Sequence, residues 1–213
     1  MSVELANPGS REAFRIEFDV PRETMERLDQ FVDFLENQQK SFNLVGRSTL
    51  QDIWTRHILD SAQMLPLLPP GQPVLTDLGS GAGFPGLILA SLSQAEVHLV
   101  EATGKKARFL EEAARILGVE AHIHQDRIEK LQPWPTDIVT ARALAPLDLL
   151  LSYARRFGNE ISRRNPKCLF LKGRRFRDEL KAAERNWRLK YSLLDSAIDG
   201  GGVIIAIKGF KRA

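Results

Sequence analysis

Sulfur is scarce in this chain of 213 residues. A single cysteine, Cys168, excludes a disulfide framework and a cysteine-based zinc site. No apolar run approaches the ~18–20 residues that a membrane-crossing helix needs. Internal repeats and low-complexity stretches are also missing. Met1–Phe14 has no basic flank followed by an apolar core, so no secretory leader is expected, and the expected location is the cytoplasm. Hydrophobic residues make up 43% and charged residues 27%, both near globular averages, which excludes disordered, collagen-like and coiled-coil classes. The length suits one sizeable α/β domain with an extension better than two independent domains.

Charge is present but unevenly spread. From Arg142 to Lys190 there are 14 Lys/Arg against five acids, a local +9 within a total of +3, so the remainder carries −6. This asymmetry points to a polyanionic partner for the C-terminal half, with solvated helix faces as the bland alternative.

Hydrophobic periodicity divides the chain. Residues 1–20 show no clear period and read as a loose lead-in. Pro21 opens a helix at its first position, and Met25, Leu28, Phe31, Val32 and Leu35 give it one apolar face through about Gln39. Ser41–Arg47 reads as a loop. Ser48 with Gln51 forms a capping-box pattern, predicting a second helix to about Leu68, ended by Pro69-Pro70-Gly71. From Val74 the pattern becomes strand, loop, helix. Predicted strands are Val74–Asp77, Glu96–Glu101, His122–His124, Asp137–Ala141, Lys167–Leu171, Lys190–Leu194 and Val203–Lys208. Predicted helices are Pro85–Leu92, Lys105–Leu117, Leu147–Phe157 and Phe176–Trp187. This alternation argues for a mostly parallel sheet with helices on both faces. Only the short, glycine-rich Asp195–Gly202 separates the last two strands, so they should pair antiparallel, with the final strand inserted beside its neighbours. The expected division is a helical extension over residues 1–70 and an α/β domain over 71–213.

The strongest local signal runs from Asp77 to Gly86, between a strand and the helix opened by Pro85. Glycines there allow a sharp turn and close approach of a ligand to the backbone. Glu101, eighteen residues after Gly83 at the next strand end, can accept both hydroxyls of a ribose. Two cofactors compete. Gly81-x-Gly83-x-x-Gly86, with Glu101 twenty residues beyond Gly81, matches the dinucleotide fingerprint. That match sits two residues off the strand end, where the acid Asp77 would repel a pyrophosphate. Asp77-x-Gly79-x-Gly81-x-Gly83 resembles instead the first motif of S-adenosylmethionine-dependent methyltransferases with a Rossmann-like seven-stranded sheet. The methyltransferase reading is preferred over an NAD(P)-dependent oxidoreductase.

The acceptor follows from what is missing. After the fourth strand the chain reads Thr140-Ala141-Arg142-Ala143-Leu144-Ala145-Pro146, without the Asn/Asp-Pro-Pro-aromatic clamp of amino-group methylation. Carbon methylation of cytosine needs a cysteine nucleophile, and Cys168 lies inside an apolar strand. An acceptor that is already nucleophilic remains. Guanine N7 has a lone pair and no proton to lose, so orientation and desolvation suffice.

Several motifs together identify a family. Asn43-Leu44, Arg56-His57-Ile58-Leu59-Asp60-Ser61, the Asp77–Gly86 loop and Glu101 with Gly104-Lys105-Lys106 resemble the glucose-inhibited division protein B family. So do Arg127-Ile128-Glu129, Ala141-Arg142-Ala143 and Leu171-Lys172-Gly173. The likeness covers roughly residues 20–210, with motifs in order; one departure is Phe84, where some members carry Leu. It implies transfer of a methyl group from S-adenosylmethionine to N7 of one guanosine in 16S ribosomal RNA, as naked RNA or within the small subunit. The implied cofactor contacts are Asp77, Gly79, Gly81, Gly83, Phe84 and Glu101, with Asp126, Ile128 and Glu129 around adenine. Arg142 is expected to position cofactor or acceptor, with no general base. RNA contacts are expected from Lys105, Lys172, Arg174 and Arg175, and from His57 if it is not a core residue. His122 and His124 alternate on one strand without a third ligand at useful spacing, so no metal is expected. A monomer is expected, and the remaining alternative from another class is a non-catalytic RNA-binding module.

Overall fold

The computed structural model of the protein describes residues 10–158, 165–198 and 202–213. Residues 1–9 of the lead-in, Glu160, Arg163 and Arg164 of the basic stretch, and 199–201 of the glycine-rich loop lie outside the described residues.

Seven strands form one sheet: β1 (Val74–Leu78), β2 (Glu96–Val100), β3 (Ala121–His124), β4 (Ile138–Arg142), β5 (Lys167–Lys172), β6 (Trp187–Asp195) and β7 (Val203–Arg212). Their order is β3-β2-β1-β4-β5-β7-β6, parallel through β5, with β7 antiparallel between β5 and β6. The expected inserted final strand is therefore observed. Side-chain alternation places Leu169 and Leu171 in one apolar cluster and Cys168 and Phe170 in the other, one on each side of the sheet. Cys168 is fully buried, and burial pushes its thiol well above the ordinary range. Helices α4 (Gly86–Leu92) and α5 (Gly104–Leu117) supply the first cluster, and α6 (Leu147–Arg156) and α7 (Phe176–Ala183) the second. Strand order reverses between β1 and β4, and open α/β sheets take their ligands beyond the carboxyl ends of such a pair.

The N-terminal helices add a layer over the first cluster. In α2 (Arg22–Gln39) the buried residues are Met25, Leu28, Phe31, Val32 and Leu35, the face that the helical spacing predicts. Phe31 packs 5.7 Å from Phe84 and 6.4 Å from Phe109, while Phe34 stacks on Phe109 at 5.0 Å. Three expectations need correction. The lead-in contains α1 (Arg11–Glu17), capped by Ser10 and fixed to α2 by a two-pronged Arg11–Asp29 pair at 2.6 and 2.7 Å. Its seven residues bury only Phe14, too little for a visible period. The predicted helix from Ser48 to Leu68 breaks into short turns: a 3₁₀ turn at Arg47–Thr49 preceded by Gly46, a π-helical turn at Trp54–Leu59, α3 (Asp60–Ala62), and a 3₁₀ turn at Leu65–Leu67. Finally, β6 begins at Trp187 rather than Lys190, because α7 already ends at Ala183.

The π-helical turn widens the backbone spiral and delivers His57 to the interior. The imidazole is 6% exposed, 5.0 Å from the Phe84 ring, with Nε2 2.8 Å from Thr49 Oγ1. Burial, with Arg142 and Arg56 nearby, lowers its pKa to about 3. An unfolded chain takes up a proton near pH 6.5 that the folded chain refuses, so this group withdraws stability as pH falls from about 6.5 toward 3. Replacing His57 with Gln should shrink the stability lost between about pH 7.5 and 4.5 by about 2 kcal/mol. Urea unfolding of both proteins at the two pH values measures this, and equal losses would mean that His57 is protonated in the folded chain.

Candidate active site

The loop after β1 is suspended between two carboxylates. Asp77 is fully buried; its carboxylate accepts from the Thr140 hydroxyl at 2.8 Å and from the Gly86 N–H at 3.4 Å. Burial pushes its pKa up to about 6 against those hydrogen bonds. The Glu101 carboxylate accepts from the Gly81 N–H at 3.1 Å and from the Thr103 N–H at 2.8 Å. Asp77 therefore does not offer the cofactor contact expected of it. There the acid ties β1, β4 and the start of α4 together, fully buried beneath the loop.

The glycines divide in the same way. At Gly81, φ is +57° and an added Cβ would meet nothing closer than the Gly79 carbonyl oxygen at 3.8 Å, so one side of its backbone is open. At Gly83 and Gly86 an added Cβ would fall 2.4 Å from Leu87 and from Leu99 respectively. Gly79 likewise faces Leu144. Of these four glycines only Gly81 has open space where a Cβ would stand. The dinucleotide fingerprint needs its second glycine open to a pyrophosphate, and here Leu87 fills that space.

Beside this loop a cavity of about 1040 Å³ lies over the carboxyl ends of β1, β4 and β5. Gly79, Gly81, Phe84, His57, Arg142, Lys172 and Arg175 line it, together with Arg56, Asp60 and Lys106. The structure does not bring Asp77, Gly83, Glu101, Lys105 or Arg174 to that wall. Lys105 is exposed, whereas Lys106, one position further round α5, faces the cavity. Asp126, Ile128 and Glu129 also lie outside it. The backbone carbonyl of Ile128 accepts from Arg156, and Glu129 takes the Tyr153 hydroxyl.

Arg142 crosses the cavity floor. Its guanidinium sits 5.0 Å over the Phe84 ring, donates to the Arg56 carbonyl at 3.3 Å and lies 3.6 Å from the Asp60 carboxylate. Burial works against both charges, raising the Asp60 pKa and lowering that of Arg142. The long ion pair offsets this only in part, so an additional anionic or carbonyl acceptor at Arg142 would be stabilised. The next residue, Ala143, has φ +53°, a strained conformation for a non-glycine residue at the cavity wall. Lys172 is committed elsewhere. Its ammonium donates to the Ala145 carbonyl at 2.6 Å and pairs with Glu179 at 2.7 Å, leaving the side chain 8% exposed. It braces the segment after β4 and has little charge left for a phosphate, contrary to expectation.

Sequence reading passed over Arg56 and Asp60 as individual residues, although both belong to the Arg56–Ser61 motif. Lys106 was obscured by its neighbour. Gly81 leaves open space beside the cavity, and Glu101, the residue after β2, is tied to that glycine's N–H.

Comparison with known proteins gives the family. The family profile described as rRNA small subunit methyltransferase G (GidB) matches residues 24–202. A "Ribosomal RNA small subunit methyltransferase G" of Rhodospirillum rubrum is 48% identical over 202 residues, covering 95% of this chain and 98% of the relative. One of the same name from Hyphomonas neptunium is 42% identical, covering 95% and 96%. Among solved structures, M. jannaschii TYW2 in complex with AdoMet superposes with TM-score 0.57 at 15% identity, covering 76% of this chain and 78% of that one. A SAM-dependent methyltransferase from Aquifex aeolicus gives 0.55 at 14% identity, covering 77% and 94%. These two likenesses bear on the fold alone. The loop, the sheet and the 48% relative lead to one assignment: the chain belongs to the rRNA small subunit methyltransferase G family.

Proposed function

We propose that the chain transfers a methyl group from S-adenosylmethionine to N7 of one guanosine in 16S ribosomal RNA. The observation that carries this is the loop held between Asp77 and Glu101, with its open backbone at Gly81, beside a cavity floored by Phe84 and Arg142. When bound, the cofactor supplies an electrophilic methyl group on a sulfonium. Glu101 keeps lone pairs free beyond the two backbone N–H groups it accepts, and these serve the ribose hydroxyls. The 126–129 segment follows β3, one strand out from Glu101, and is the stretch assigned here to the adenine, although it lies outside the cavity wall.

His57, the histidine at the cavity wall, titrates at about 3 and is buried, so it is no base near neutral pH. That suits an acceptor with a ready lone pair. Catalysis then rests on orientation, with Arg142 holding a carboxylate, phosphate or O6 edge rather than the N7 that becomes positive. Lys106 and Arg175 are the cavity-side cations for the RNA backbone, with Lys105 and Arg174 further out. Residues between Leu44 and Asp60 of the N-terminal extension wall the cavity on one side, and the chain acts as a monomer on RNA or the small subunit. A non-catalytic RNA-binding module has no use for an open Gly81 tied to Glu101.

Incubation with methyl-labelled cofactor and small-subunit RNA from a strain lacking this activity should label one guanosine at N7; absence of RNA labelling would overturn the assignment. Glu101→Gln should weaken S-adenosylhomocysteine binding by roughly 1.5–3 kcal/mol in calorimetry, through lost charge-assisted hydrogen bonds. Unchanged affinity would remove Glu101 from the ribose site. Arg142→Ala should slow single-turnover transfer ~100-fold or more at saturating cofactor and RNA. Arg142→Lys should recover little, because it lacks the planar fork; near wild-type rates would make Arg142 structural.

A further inference from the structure

Three imidazoles gather on one face of the β2–β3 edge, away from the cavity. Parallel pairing sets His98 beside His122 and Val100 beside His124, so residues 96, 98, 122 and 124 share that face. His98 stacks on His122 at 4.6 Å and on His124 at 5.2 Å. The Trp134 ring lies 4.8 Å from His98 and 4.2 Å from His124, and is itself fixed by Nε1 donating to Thr76 Oγ1 at 3.0 Å. The rings are therefore held by packing. None of these residues lines the cavity.

Two imidazole nitrogens converge on one carboxylate oxygen. Glu96 Oε1 lies 3.1 Å from His98 Nε2 and 3.7 Å from His122 Nε2, and the three ligand atoms lie within 4.8 Å of one another. Ligands about 2.0–2.2 Å from a tetrahedral zinc ion stand roughly 3.3 Å apart, a value that the 3.1 and 3.7 Å separations bracket. His98 Nδ1 is 3.0 Å from His124 Nε2. With the proton on His98 Nδ1, that hydrogen bond orients the ring and turns the Nε2 lone pair toward Glu96, as outer partners of metal-bound histidines do. Nε2 then faces a carboxylate lone pair, and a cation between them removes the repulsion.

We propose that Glu96, His98 and His122 bind one divalent transition-metal ion of the zinc class, with water completing its coordination. The separation of residue 96 from 122 along the chain hides this triad: spacing shows only His122 and His124, and strand pairing supplies the other two residues. Glu96 and His122 have side chains 52% and 59% exposed, so the ion has an entry path. It would fasten β3, a four-residue edge strand, to β2. This ion has no part in methyl transfer.

Zinc titration of the full chain without a polyhistidine tag, against a chromophoric chelator, tests this. One equivalent should bind, the melting temperature should rise with zinc concentration, and cobalt(II) should give visible ligand-field bands. His122→Asn, at an exposed position, should lower zinc affinity at least tenfold and abolish both the bands and the thermal shift. Glu96→Gln should do the same less completely. Methylation should be unchanged in both. No stoichiometric zinc binding, or equal binding by wild type and both variants, overturns the proposal. Loss on replacing His124 but not His122 also overturns this choice of ligands.

Discussion

A fully buried carboxylate holds the catalytic edge of this sheet together. Asp77 ends β1, receives the Thr140 hydroxyl from β4 and the N–H of Gly86 at the start of α4. Ionised above about pH 6, it cannot leave those donors without baring a buried charge. The loop between is thereby fixed at its far end, while Glu101 fixes it at Gly81. What remains open is the outer side of the Gly81 backbone. Binding and rigidity thus come from two acids with different surroundings.

The N-terminal layer does more than cover apolar surface. Phe31 of α2 supports Phe84, Phe84 supports Arg142 and lies against His57, and the π-helical turn brings His57, Arg56 and Asp60 to one wall. A regular helix over Trp54–Leu59 would present these side chains at another angle. The cavity is a joint product of both parts of the chain.

Much of this was legible in the sequence. The α2 face, the five parallel strands, the inserted final strand and the glycine loop followed from period and punctuation alone, because local spacing dictates them. The strand-end Glu101 followed from its distance to Gly81. What escaped was set by contacts distant in sequence. Asp77 reads as a ligand contact until Thr140 and Gly86 are seen around it. Lys172 reads as a free cation until Glu179 and the Ala145 carbonyl claim it. Lys106 and Lys105 differ only in helical phase. The break-up of the segment after Ser48 left no mark, since 3₁₀, α and π turns share nearly the same residue preferences.

The chemistry rests on an acceptor that surrenders no proton and on a cavity whose histidine stays neutral. The pH dependence of single-turnover methyl transfer, at saturating cofactor and RNA, tests that claim most directly. The account predicts a flat rate between about pH 6.5 and 8.5, because guanine N7 has no proton to lose and His57 stays neutral throughout that window. A rate that climbs tenfold per pH unit there would show that a proton must leave before transfer, and would contradict it.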